Sequence, residues 1–157
     1  MLGLARIALP ATAIVLAVTL GACGTQDSAA KNDYVQKVNA AQTQFASAAK
    51  RVKQEITKMS SARQDRRALD RFVSTIDTLV GRLRAIKVPG DVRAEHARLV
   101  AVMADHGEEV SQITASMRSP TTTVLEDIQR KLSAATITVN ANLSSATASI
   151  NSKLRAE

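Results

Sequence analysis

Between Leu69 and Ile86 the apolar residues Leu69, Phe72, Ile76, Leu79, Leu83 and Ile86 follow one another at alternating steps of three and four. That spacing puts all six on one face of an α-helix, whereas a strand would need a step of two. A helix with one apolar face must bury it against neighbours, because short helices are marginal alone in water. The period recurs in three further stretches. A first helix is predicted from about Asp33 to Met59 on Val35, Val38, Ala41, Phe45, Ala48, Val52, Ile56 and Met59. The second runs from about Asp65 to Ile86, and the third from about Val92 to Met117 on Val92, His96, Leu99, Met103, His106, Val110, Ile113 and Met117. A fourth begins near Thr121, with Leu125, Ile128, Leu132, Ala135, Val139, Leu143, Ala146, Ile150 and Leu154.

The breaks between these stretches carry their own chemistry. Ser61 and Gln64 have the spacing of a capping box ahead of the second helix. Val88-Pro89-Gly90-Asp91 is a turn in which Pro89 ends one helix and Asp91 is placed to cap the next. Ser119-Pro120 reads as an N-cap followed by a first-turn proline. Ser133 to Ser152 is rich in Ser, Thr, Ala and Asn, and Ile137, Val139, Ala141 and Leu143 also alternate with a period of two. Helix is still expected there, since the three–four stripe runs well past that stretch on both sides. Four helices with short connections predict an all-α fold, a four-helix antiparallel up-down bundle over residues 33–157.

The residues before the bundle have a different character. Met1 to Ala22 carries Arg6, an uncharged apolar run from Ile7 to Leu20 and closing small residues, the layout of a secretory signal peptide. The run is shorter than a spanning helix needs and contains Pro10, Thr12 and Thr19. Leu20-Gly21-Ala22-Cys23 then resembles the lipobox of bacterial prolipoproteins, and Cys23 is the only cysteine of the chain. The resemblance implies cleavage before Cys23 and a thioether from its sulfur to a diacylglycerol, which would anchor the protein to the outer face of the cell membrane. Removing 22 of the 157 residues leaves 135, enough for a sizeable core. Residues 23–32 read as a lipidated tether of small and polar side chains. A lipobox followed by a Pro-punctuated, Ala- and Arg-rich bundle is similar to small uncharacterised lipoproteins of high-GC bacteria, a likeness that bears on location and not on activity.

A single cysteine leaves no disulfide framework and no CxxC metal knuckle. The chain has no GxSxG, HExxH, P-loop or Rossmann glycine run, so the expectation is a protein that is not an enzyme and holds no cofactor. Its formal net charge is +7. Lys50, Arg51, Lys53, Lys58, Arg63, Arg66, Arg67 and Arg71 gather around the first helix connection against only Glu55, Asp65 and Asp70. Such a patch is either a solvated helix surface or a site for an anionic cell-wall polymer, anionic lipid or acidic protein. Nucleic acid is not expected as a partner, because the chain is exported and no aromatic residue interleaves the patch.

Two histidines sit on the core stripe of the third helix. They are ten residues apart, about 15 Å along the axis, so they cannot share one metal ion. Counting levels in the bundle places His106 near Phe45, Phe72 and Leu132, and His96 near Tyr34, Val35 and Leu83. A hydrogen bond between His96 and Tyr34 is therefore expected. Gly107, in the run Asp105-His106-Gly107-Glu108-Glu109, marks either a close helix crossing or mild kink, or a ligand approaching the backbone beside His106. The alternative function is thus carriage of haem, a metal ion or a small hydrophobic ligand at His106. Neither Met59 nor Met103 stands where it could be a second haem ligand, and there is no C-x-x-C-H motif.

Overall fold

The computed structural model describes residues 26–57, 60–117 and 122–155. The stretch read as an export signal, Cys23, Lys58, Met59 and the Ser119-Pro120 pair read as a cap lie outside the described residues, as does the side chain of Leu125. Four α-helices follow in order: α1 (Gln26–Glu55), α2 (Ala62–Arg84), α3 (Arg93–Ser116) and α4 (Thr122–Arg155), with a short 3-10 turn at Gly90–Val92 before α3. No strand occurs among the described residues. Consecutive helices pack against one another as an antiparallel up-down bundle.

Side-chain contacts fix which ends lie together. Lys31 near the start of α1 reaches Asp91 in the α2–α3 connection at 3.7 Å, and Lys153 near the end of α4 reaches Glu95 at 2.8 Å. Both contacts belong to the end where α1 begins. The α1–α2 and α3–α4 connections share the opposite end. The 30 residues of α1 separate the two ends by about 45 Å. On the open side of the circuit, Gln42 of α1 donates from Nε2 to Thr147 Oγ1 of α4 at 2.9 Å.

The expected stripes form the core. Along α3 and its two flanking residues, every stripe residue from Val92 to Met117 is buried, both histidines included. In α2, Leu69, Phe72, Ile76, Leu79 and Leu83 are buried, and Ile86 packs half-buried against them. Each large apolar side chain of this kind contributes roughly 1.5–3 kcal/mol relative to exposure. The α2 capping box also forms as expected. The Gln64 backbone N–H donates to Ser61 Oγ, and the Ser61 N–H donates to Gln64 Oε1 at 2.8 Å.

In α4 the helical period wins over the alternating one. Ala135, Val139, Leu143, Ala146, Ile150 and Leu154 are buried, while Ile137 is 65% exposed. A strand would have put Ile137 and Val139 on the same face. The hydroxyl-rich sequence is accommodated by bonds back to the preceding turn. Thr136 donates to the Leu132 carbonyl and Ser144 to that of Asn140, each at 2.8 Å.

Two expectations need correction. The helix expected from Asp33 starts at Gln26, so most of the stretch read as a tether is helical. Residues 26–32 contain no glycine or proline to stop the helix, and the Lys31–Asp91 pair ties that turn to the bundle. Asp91 does not cap α3. The 3-10 turn puts the buried Val92 in the capping position with no side-chain cap, and Asp91 faces Lys31 instead.

Candidate functional site

The cationic cluster occupies the α1–α2 end. Lys50, Arg51 and Lys53 lie in the last two turns of α1, and Arg63, Arg66, Arg67 and Arg71 in the first three turns of α2. All are exposed except Arg66, which is half-buried. Pairing divides them. Arg71 bridges the two helices to Glu55, and Arg66 Nε stands 3.9 Å from Asp70. Among the described residues, Lys50, Arg51, Arg63 and Arg67 have no carboxylate partner. Burial pushes the Asp65 carboxyl above its ordinary range, against a hydrogen bond with Ser60 that lowers it.

The start of α4 adds two cations that the sequence pattern did not single out. Arg130 and Lys131 share one carboxylate, Asp127, at 3.0 and 2.7 Å. Those two neighbours hold the Asp127 carboxyl below its usual range. Their signal in the sequence is only the i,i+3 and i,i+4 spacing, which reads as ordinary helix pairing.

The histidines occupy two different interior sites. His96 is buried at the end where α1 begins. Its Nε2 faces the Leu83 carbonyl at 3.0 Å, and its Nδ1 faces the Tyr34 hydroxyl at 3.3 Å. A carbonyl only accepts, so Nε2 carries the proton and Nδ1 accepts from Tyr34. The three residues tie α1, α2 and α3 together. Burial lowers the His96 pKa against the opposing effect of its bond to Leu83. Burial likewise raises that of Tyr34, as does the charge of Glu95.

His106 has no such partners. It is 5% exposed and meets the rings of Phe45 and Phe72 edge-on, with centroids 5.9 and 6.1 Å away. The two phenylalanines stack on each other at 5.8 Å. His106 Nδ1 is buried with no hydrogen bond. Burial alone pushes its pKa down to about 4.

Gly107 resolves toward the close crossing. A Cβ on it would stand 3.0 Å from Ile76 Cγ2, inside the α2–α3 contact. On the outer side of that contact lies an open groove of about 300 Å³, walled by Val73, Asp77, Arg84, Gly107 and Glu108. His106 is not among the groove's lining residues. Asp105, Glu108 and Glu109 are exposed while His106 is buried, so the local acidic run does not converge on the imidazole. Among the described residues no group of three or more His, Cys, Asp or Glu side chains could hold a metal ion. None of the described helices is long and apolar enough to cross a membrane. No protein-family model matches the chain, and neither a curated protein nor a solved structure does.

Proposed function

We propose that this is an exported, non-enzymatic protein, lipid-anchored through a diacylglyceryl group on Cys23, with a structural or interaction role at the outer face of the cell membrane. It works as a post: the anchor holds one end of the bundle, and the cationic α1–α2 end meets an anionic partner such as a cell-wall polymer. The observation that carries this reading is the division of ionisable groups. His96, His106 and Tyr34 are turned inward and absorbed in packing, while Lys50, Arg51, Arg63 and Arg67 stand at one end with no carboxylate partner among the described residues. The lipobox-like Leu20-Gly21-Ala22-Cys23 supports the anchor, and two acyl chains hold a protein stably where one is marginal. Labelling cells with a fatty-acid probe tests it. The wild-type chain takes up label and fractionates with membranes, and Cys23→Ser does neither. Label on the Cys23→Ser chain would overturn the anchor. Sedimentation with cell-wall fractions, weakened by salt, tests the partner.

A second reading is favoured by one observation, the bare Nδ1 of buried His106. It is a carrier of haem, a metal ion or a small hydrophobic ligand inside the bundle. Native mass spectrometry with an absorption spectrum decides between the two. Extra mass lost in His106→Ala supports carriage, and a bare mass removes it.

A further inference from the structure

Arg71 and Glu55 touch across the α1–α2 seam, and that contact orients the charges around it. Arg51 is four residues before Glu55 on α1, and Arg67 and Arg63 lie four and eight residues before Arg71 on α2. Steps of four keep residues on one helix face, about 6 Å apart along the axis. Arg51, Arg67 and Arg63 therefore flank the same side of the seam as the bridge, with Lys50 one position round α1. The single carboxylate in this row, Glu55, is already matched by Arg71.

We propose that the row Arg51–Arg67–Arg63, with Lys50 beside it, binds a linear polymer of repeated oxyanions and not a lipid surface, a nucleic acid or a folded protein. This rests on the cationic end being the working surface, as proposed above. Guanidinium forks grip phosphate or carboxylate oxygens two at a time, and three of the four unpaired cations are arginines. The chain has one Tyr, two Phe and no Trp. Tyr34, Phe45 and Phe72 are all buried, so there is no platform on which bases could stack. A folded partner would need an apolar or aromatic centre to its interface. Among the described residues the one exposed large apolar side chain is Ile137, on α4. The row also lies at the far end of α1 from the tether, so in an upright bundle the headgroups of the anchoring membrane are out of reach.

The test uses the full mature protein, purified from its own membranes in neutral detergent. The probes are long-chain inorganic polyphosphate, polygalacturonate, and vesicles of phosphatidylglycerol. Affinity is measured over a series of salt concentrations. The expected result is that both polymers bind more tightly than the vesicles, and the stronger of the two names the oxyanion. Arg51→Glu/Arg63→Glu/Arg67→Glu lowers polymer affinity at least about tenfold and flattens the salt slope by about 2, since each phosphate contact contributes about 0.7–0.9. Glu55→Gln strengthens binding. Arg84→Glu/Arg93→Glu/Arg98→Glu changes net charge equally, at exposed positions elsewhere, and leaves affinity within about twofold. Equal losses in the two triple variants would overturn the row in favour of general net charge. Vesicle binding that matches the polymers and depends on the row would overturn the polymer in favour of headgroups. An unlabelled Cys23 would sink the anchor and leave this result standing, while row-independent binding would sink the row and leave the anchor.

Discussion

His106 should make the bundle lose stability in mild acid, and its substitution should abolish that share of the loss. The imidazole is closed in by Phe45 and Phe72 with Nδ1 bare, so a proton arriving there gains a charge with nothing to receive it. Burial holds the pKa at about 4 in the folded state, against about 6.5 in an unfolded chain. The unfolded state therefore takes the proton first. Stability from this group is whole above about pH 6.5. It falls by about 1.36 kcal/mol per pH unit down to about pH 4 and is level below that, a total of about 3 kcal/mol. That is a large fraction of the 5–15 kcal/mol or so that holds a typical domain. His96, whose pKa burial also lowers, acts in the same direction.

The comparison that isolates His106 is His106→Leu, which keeps an apolar side chain of similar size and removes the titrating group. Urea unfolding followed by far-UV circular dichroism, repeated between about pH 7 and pH 4, gives the stability of each protein. Carboxylates such as Glu95, held low chiefly by its hydrogen bond from Lys153, lose their contribution in acid in both proteins and cancel in the difference. At neutral pH the variant should be equal to wild type or slightly more stable, because a buried polar atom without a partner has been removed. Its advantage should then grow by about 3 kcal/mol on going to pH 4. A difference that stays flat with pH would refute the argument, and so would an imidazole resonance of His106 that titrates near its ordinary value in the folded protein.

Three further outcomes follow from packing. Gly81→Ala and Gly107→Ala should differ in sign: a Cβ on Gly81 meets nothing within 4 Å, so thermal unfolding should show a gain of about 1 kcal/mol. The same change at Gly107 drives a methyl against the fully buried Ile76, and a cost of about 1–3 kcal/mol should cancel or exceed the gain. Ser61→Ala removes the acceptor of the α2 capping box, and urea titration should show a loss of about 1 kcal/mol. Tyr34→Phe leaves His96 Nδ1 without its donor, and the same titration should show a loss of about 1–3 kcal/mol.

The sequence reveals burial more directly than it reveals helix. Where a helix has a buried face, as in α2 and α3, the three–four stripe located it to within a few residues. The start of α1 has no such stripe from Gln26 to Asn32, and its helical geometry rests on continuation of the chain and on Lys31 reaching Asp91, sixty residues on. No local pattern encodes that pair. Asp91 illustrates the converse, since a residue suited to capping is set one position away from the cap by the 3-10 turn and stands near the same lysine. The histidine neighbourhoods were legible because short connections hold consecutive helices in register. Counting levels therefore sufficed to put His96 beside Tyr34 and His106 beside Phe45 and Phe72.

The cationic end was legible only as a sum. Composition counted eight basic residues, but what a patch can bind depends on which of its charges are already matched. Arg71 and Glu55 are sixteen residues apart on different helices, so their pairing appears only when α1 and α2 are docked. Once that bridge is known, it does more than subtract two charges. It marks the side of the seam that the two helices share, a rotation set by burial of Ala48, Leu69 and Phe72, and that rotation decides which remaining arginines share a face. Burial of all three aromatic residues then removes base stacking from that face without reference to any charge. The same packing that holds Phe45 and Phe72 against His106 thereby keeps both rings off the α1–α2 surface, so the oxyanion polymer proposed for that end would be held by charge and its binding should weaken as salt is raised.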